Sequence, residues 1–321
     1  ICASCCNPSQ TPMTTFNPST LQESRSLIRE RSSVESPEYA LKWRQKQLLV
    51  LQSPQQTPPH LPPLTNEQWL IDCLNHSPIR LVRIDAGVGE TELRFWANAC
   101  ERSGKMLYLR LPNTSRLPNR VSVSWGCKRL LDLSLASLML LLLSPLMVAI
   151  AVLIKLHTPG PIMFQQWRVG QRGKLFKVFK FRTMTVNAER EHHQVMAGQV
   201  STNLHKREDD PRITSLGKWL RKYSLDELPQ LFNVLRGEMS LVGPRPWALY
   251  DAVRVRPDRL QRLNALPGIT GAWQIESRSH LLDIDTVNDR DLEYLRNWSL
   301  TEDLKILLRT VPKVLSGFGA C

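Results

Sequence analysis

Between Leu133 and Ile154 the sequence carries no charged residue, and Ser144-Pro145 interrupts the run near its middle. A bilayer core about 30 Å thick takes about 20 apolar residues to cross, so the run is just long enough to span one. Proline removes an amide donor and bends a helix. A bend at the midpoint lets the segment enter and leave by one face. Lys128 and Arg129 precede it; Lys155, Arg168, Arg172, Lys174, Lys177, Lys180 and Arg182 follow. Positive flanks favour the cytoplasmic side, and a simple span would put one of them on the wrong side. A re-entrant helix hairpin kinked at Ser144 and Pro145 keeps both inside. The expectation is a monotopic protein on the cytoplasmic face of the cytoplasmic membrane; a bent spanning helix is the alternative.

Net charge is +13, unevenly placed. Residues 128–225 hold 16 basic and 6 acidic side chains, so the excess gathers beside the apolar run. Such a collar attracts anionic headgroups and equally suits a nucleotide diphosphate. Nucleic acid competes for basic patches, but no nucleic-acid module is recognisable and the charge is tied to a hydrophobic segment. No nucleic-acid partner is expected. Cys2 and Cys5 have the spacing of half a zinc site without a second half. The odd number of scattered cysteines fits a reducing compartment. Met13 is the first methionine, and residues 1–12 read as a translation-start artefact or a tail. No cleavable secretory signal is seen before residue 100, so the apolar run reads as an anchor.

The expected fold class is α+β and mainly helical. Residues 1–65 read as disordered and linker sequence, with a short amphipathic helix at 37–52 around Tyr39, Leu41, Trp43, Leu48 and Leu51. Residues 66–111 read as a separate small α/β unit in the order helix, strand, helix, strand. Gly87 and Gly89 within it are read as a turn, because no further glycine completes a phosphate fingerprint. Residues 112–124 form a linker, and 125–321 the membrane-associated domain. There, Ile162–Val169 and Leu175–Phe181 alternate around Gly170-Gln-Arg-Gly173 and predict a β-hairpin. Residues 187–212 read as a polar loop or mobile helix, with His192 and His193 solvated. Beyond Ile213 short helices are expected. Arg254–Leu266 and Leu292–Leu315 are amphipathic, suited to a membrane interface or to a soluble core. Trp125, Trp167, Trp247 and Trp298 carry the same ambiguity between interfacial anchor and core.

The sharpest chemical constellation runs from Arg221 to Pro246 and contains Asp226-Glu227. Either Ser224 and Glu227 form a capping box, or Asp226 caps the next helix with Pro229 in its first turn. Both place Asp226 at a positive helix end, where it stays ionised and a phosphate would dock. A carboxylate held beside a phosphate can act as a nucleophile once cations cancel the repulsion. Arg221, Arg245 and a divalent cation on Glu227 are suited to that.

Taken together these residues resemble the bacterial sugar transferase family, the monotopic polyprenyl-phosphate phosphoglycosyl transferases. The likeness runs from Trp125 to Cys321, about three fifths of the chain. It covers Lys128-Arg-Leu-Leu-Asp132, Ser144-Pro145, Gly173 to Met184, and Asp210-Pro-Arg212-Ile-Thr. It continues through Ser224-Leu-Asp226-Glu227-Leu-Pro-Gln, Met239 to Pro246, Pro267 to Gln274 and Asn297-Trp-Ser-Leu. The resemblance implies that Asp226 attacks the β-phosphate of a UDP-sugar, expels UMP, and passes the phosphosugar to polyprenyl (undecaprenyl) phosphate. It implies Mg²⁺ held through Glu227, and a place at the first step of exopolysaccharide synthesis. Lys180 and Arg182 are candidate phosphate contacts, or face lipid headgroups. Arg278 is carried over with a departure beside it, because Ser277 stands where the family has glycine. That departure is the sole support for a second reading, a catalytically degenerate membrane adaptor of an assembly complex. The 66–111 unit is similar to an extension on some cyanobacterial exopolysaccharide sugar transferases and is read as regulatory or partner-binding. The sequence leaves open which sugar is moved, and whether further copies of the chain or polysaccharide assembly proteins are bound.

Overall fold

The computed structural model describes residues 39–52, 66–111, 123–186, 210–255, 257–277 and 283–317, with 188 and 191. Expectations for 1–36, 53–65, 112–122, His192, His193 and Arg278 lie outside the described residues. The chain divides into two compact units, Ile1–Leu107 and Tyr108–Cys321, of which the second is mainly helical.

The smaller unit is a four-stranded sheet in the order β1-β2-β3-β4 with two helices. Strands β1 (Tyr39–Arg44) and β2 (Gln47–Gln52) form an antiparallel hairpin, where the sequence reading placed a helix. Tyr39, Leu41 and Trp43 recur with period two, and Leu48 and Val50 are the buried positions of β2. That is a strand pattern on each side of a tight turn at Gln45, whose φ is +54°. Helix α1 (Glu67–Asn75) is capped by Asn66, whose side chain accepts from the amides of Gln68 and Trp69. Next come β3 (Leu81–Ile84), parallel to β2, α2 (Glu90–Arg102) and β4 (Met106–Leu109). Leu93, Trp96 and Ala97 of α2 are fully buried, as are Val82 and Ile84 of β3. Gly87 and Gly89 close a single tight turn, in which Asp85 accepts from the Gly87 amide.

In the larger unit the apolar run belongs to one helix, α3 (Val123–His157), which Ser144-Pro145 does not interrupt. Pro145 cannot donate to the Leu141 carbonyl four residues back. The Ser144 hydroxyl donates to that carbonyl instead, at 2.9 Å, so the turn stays closed. Lys128, Asp132 and Ala136 share one buried face at four-residue spacing, and Ile150 and Ile154 repeat the pattern later. Most leucines between and around them are exposed; Leu141 and Leu142 keep about 70% of their surface.

Both ends of α3 are tied to the same domain. Near its start, Lys128 Nζ donates to Asp303 Oδ2 at 2.5 Å and to the Val242 carbonyl at 3.0 Å. Asp132 accepts from Ser240 Oγ at 2.7 Å and from the Leu241 amide at 3.0 Å. Tyr294 and Trp298 also donate to Asp303. At the far end Ile150 and Ile154 pack with Phe181 and Leu220, and His157 meets Ser215 Oγ at 3.0 Å.

The hairpin of β5 (Met163–Val169) and β6 (Leu175–Phe181) forms where the alternation predicts. It is followed by α4 (Ser215–Lys222), a single turn at Leu225–Glu227, and α5 (Gln230–Leu235). Strand β7 (Ser240–Val242) pairs in parallel with β9 (Gly268–Thr270), and β8 (Trp247–Ala248) adds to β5. The stretch Arg254–Leu266 is not one amphipathic helix. Helix α6 (Leu249–Ala252) ends first, and a 3₁₀ segment, Pro257–Asn264, follows. After α7 (Ala272–Ser277) come α8 (Ile284–Arg296) and α9 (Leu300–Ser316). These last two are separate because Ser299 starts a new helix by accepting from the Glu302 amide. Trp125 stacks on Trp298 with ring centroids 4.5 Å apart, and Trp247 is buried. Those three serve the core; Trp167 is partly covered, with Lys177 Nζ 5.0 Å above its ring.

Candidate active site

The site is built where the β5–β6 hairpin meets the turn after α4. Asn233 of α5 docks that helix on β6: its Oδ1 accepts from the Phe179 amide at 3.0 Å, and its Nδ2 donates to the Lys177 carbonyl at 2.8 Å. Leu225 and Leu228 pack on the cluster of Ile150, Ile154, Phe181 and Leu220. This leaves the intervening Asp226 and Glu227 for other contacts. Ser224 takes a left-handed backbone, φ +54°, to make the turn, and no side-chain cap forms there. Both capping schemes therefore fail: Asp226 lies inside the short turn, and Pro229 precedes α5.

Lys180 Nζ donates to Glu227 Oε1 at 2.6 Å. Asp226 is 7% exposed. Burial raises its pKa above the usual carboxylate value and Glu227 adds to that, whereas Lys180 and Arg221 oppose it. Burial likewise lowers Lys180, against the pull of Glu227 and Asp226. Two carboxylates thus share one buried lysine in a poorly solvated place, and each would gain from further positive charge. Arg221 reaches Thr183 Oγ1 with its Nε at 2.9 Å. Burial lowers its pKa while Asp226 and Asp210 raise it, so it lies within the field of the Asp226 carboxylate.

A pocket opens beside this pair, lined among others by Arg168, Lys180, Glu227, Gln230, Arg245 and Gln274. Of the residues singled out from the sequence, the fold brings Lys180, Glu227 and Arg245 to the pocket. Asp226 and Arg221 adjoin it electrostatically. Arg182 is placed elsewhere. Its guanidinium donates to the carbonyls of Thr158 and Pro159, both at 2.8 Å, and to Thr158 Oγ1 at 2.7 Å. It closes the carboxyl end of α3, where a cation complements the helix dipole. Ser144 and Pro145 lie in α3.

Arg168, Gln230 and Gln274 were not singled out. Arg168 donates from Nη1 to the Pro246 carbonyl at 3.1 Å and is 8% exposed. A buried arginine at the end of a strand was the only available signal. Gln274 is 5% exposed, and among the described residues its Oε1 has no hydrogen-bond partner. Close packing of backbones forms this wall: a Cβ on Gly268 would lie 2.1 Å from the Gly243 nitrogen.

Among the described residues no three His, Cys, Asp or Glu side chains converge as a closed metal cage. Asp226 and Glu227 are nonetheless adjacent hard oxygen donors, with Lys180, Arg168 and Arg245 already supplying positive charge around them. Mg²⁺ binds through one or two carboxylates and completes its shell with water and substrate phosphate, so the donor set fits that ion.

Residues 123–317 match the family model described as bacterial sugar transferase. The chain belongs to the bacterial sugar transferase family. Among its relatives, the galactosyl transferase CpsE of Streptococcus agalactiae is 43% identical over 195 residues, covering 60% of this chain and 43% of that protein. The exopolysaccharide production protein ExoY of Sinorhizobium fredii is 40% identical over 199 residues, covering 60% of this chain and 87% of ExoY. The UDP-glucose:undecaprenyl-phosphate glucose-1-phosphate transferase of Caulobacter vibrioides is 43% identical over 197 residues, 59% of this chain and 70% of that protein. The chain thus spans less than half the length of some curated relatives and most of the length of others. The matched region contains every element that builds the pocket.

Proposed function

We propose that this protein transfers a sugar phosphate from a UDP-sugar to polyprenyl phosphate, releasing UMP, as a phosphoglycosyl transferase of exopolysaccharide synthesis. One observation carries the reading: the buried Asp226 carboxylate stands beside the Lys180–Glu227 pair at the edge of a pocket that also presents Arg168 and Arg245. An Asp226 oxygen attacks the donor's β-phosphorus. The bond from that phosphorus to the bridging oxygen breaks, and UMP leaves with the electron pair. A phosphosugar is then esterified to Asp226. A phosphate oxygen of the polyprenyl phosphate attacks the same phosphorus, the bond to Asp226 breaks, and the carboxylate is restored with a polyprenyl diphosphate sugar as product. Arg245 and Lys180 hold phosphate oxygens and cancel their repulsion with Asp226. Glu227, with Asp226, would hold Mg²⁺, which supplies further charge neutralisation to the diphosphate.

The same fold supports attachment to the cytoplasmic face of the membrane. Leu138, Leu141, Leu142, Val148, Val152 and Leu153 of α3 are exposed; an apolar face of this kind marks a surface made to be covered, and lipid would cover it. Both ends of the helix bond to one domain, so the basic residues that flank the apolar run stay with that domain at either end. Polyprenyl phosphate then presents its headgroup beside the pocket while its tail stays in lipid. An adaptor has no use for a desolvated carboxylate held against an ion pair, so the second reading gains no support.

The test is release of UMP from a panel of UDP-sugars with polyprenyl phosphate and Mg²⁺, for wild type and Asp226→Asn. Turnover by wild type only, with label from the donor trapped on Asp226, is the expected result. An adduct on another side chain, or turnover by the purified variant, overturns the mechanism.

A further inference from the structure

We propose that Arg262, braced by Asp291, is a positioning residue that sets Arg245 in the pocket by gripping its main chain. The inference rests on the transfer reaction proposed above and adds to it a part of the molecule that lies outside the pocket.

Pro244-Arg245-Pro246 is short of amide donors, because neither proline has one. Its three carbonyls are nevertheless each occupied by a donor from a different element. The Pro244 carbonyl accepts from the Gly268 amide of β9 at 2.9 Å. The Arg245 carbonyl accepts from Arg262 Nη2 at 2.6 Å. The Pro246 carbonyl accepts from Arg168 Nη1 of β5 at 3.1 Å. Rigid prolines on both sides and a held carbonyl at each residue leave the Arg245 main chain little freedom, and its guanidinium is aimed accordingly.

Arg262 is the member of this set that neither lies in a strand nor lines the pocket. It lies in the 3₁₀ segment and is 1% exposed. Its Nη2 is 2.5 Å from Asp291 Oδ2 of α8, and its Nη1 donates to Asn288 Oδ1 at 3.2 Å. The guanidinium carbon sits 4.4 Å from the Trp247 ring. Through Arg262 this buried ion pair reaches the C=O of Arg245. Burying such a pair brings little net stability, and well-packed apolar residues often replace one without loss. The geometry accounts for its presence better than stability does: a planar fork can satisfy a carboxylate, an amide oxygen and a main-chain carbonyl at once, and an ammonium cannot.

The experiment is a double-mutant cycle on the full chain in membrane or detergent, with Arg262→Lys, Arg245→Ala and both together. UMP release and the affinity for UDP are measured for each. Arg262→Lys keeps the charge and loses the fork. It is expected to lower kcat/KM tenfold or more, since about 1 Å of misplacement costs up to about a hundredfold, and to weaken UDP binding. In the Arg245→Ala background the same change should have almost no further effect, because Arg262 acts through Arg245. Losses that multiply in the double variant would mean Arg262 only supports the fold, and the inference falls. If Arg262→Lys does not accumulate as folded protein, Asp291→Asn takes its place in the cycle with the same expectation. A wild type that binds UDP with a coupled cycle but releases no UMP would remove the reaction and leave the clamp standing. A wild type that neither binds UDP nor turns over would remove both.

Discussion

Lys180 and Glu227 make opposite demands on Asp226, and exchanging each for a neutral residue separates them. Lys180→Met removes a donor 2.6 Å from Glu227 Oε1. Both side chains are mostly covered, at 17% and 15% exposure. Stripping one partner from a buried pair costs about 3–5 kcal/mol, and the residual exposure places this pair at about 3 kcal/mol. For a domain of this size each kcal/mol moves Tm by about 2–4 °C, so Lys180→Met should melt roughly 6–12 °C below wild type. The catalytic signature is more specific. Lys180 holds the Asp226 pKa down and Glu227 pushes it up, on top of the larger upward push from burial. A nucleophile must be ionised. The acid limb of kcat/KM should therefore move to higher pH in Lys180→Met and to lower pH in Glu227→Gln, measured on residual UMP release at saturating Mg²⁺. Limbs that stay in place, or that move in the same direction in both variants, would refute the assignment of Asp226 as the titrating nucleophile.

Asp226→Asn should stabilise the protein while abolishing turnover. The folded-state pKa of Asp226 lies above its ordinary value of 3.8, so its favourable contribution is complete below that value and is lost as pH rises through the raised one. At neutral pH the ionised group is a net cost, so the variant is expected to unfold at a higher Tm than wild type. Gly217→Ala should do the reverse. Its Cβ would lie 2.0 Å from the Thr183 carbonyl oxygen, which α4 needs for the Thr214 amide bond at 3.0 Å. Overpacking of this kind costs about 1–3 kcal/mol, and displacing α4 carries Arg221 away from Thr183; thermal unfolding and UMP release should both fall.

Local signals in the sequence were sufficient where a period and its punctuation agreed. The apolar spacing between residues 66 and 76 marks a helix, and Gly170-Gln-Arg-Gly173 between two alternating runs marks a hairpin; both form. At 37–52 the punctuation is missing. The turn at Gln45 uses a left-handed residue that is neither Gly nor Asn, so two strands read as one amphipathic stretch. Ser224 deceives in the same way: its hydroxyl suggests a cap, but its φ of +54° turns the chain instead. The acidic pair and Lys180 could be found because charge at a family motif is local information. Arg168 and Gln274 could not, because only the pairing of β5 with β8, and of β7 with β9, brings their walls together. Arg182 shows the converse. A basic residue at the end of a strand looks free to bind phosphate, yet the fold spends it on carbonyls at the end of α3.

A membrane enzyme on a flexible tether would sample many heights above the lipid and meet its acceptor by chance excursions. The two fastenings of α3, Lys128 with Asp132 at one end and Ile154 with His157 at the other, remove that freedom. The pocket-bearing body and its greasy keel move as one piece. With lipid over the keel and the polyprenyl phosphate proposed above as acceptor, the pocket would ride at a set elevation over the bilayer, and sideways diffusion alone would bring the acceptor to it.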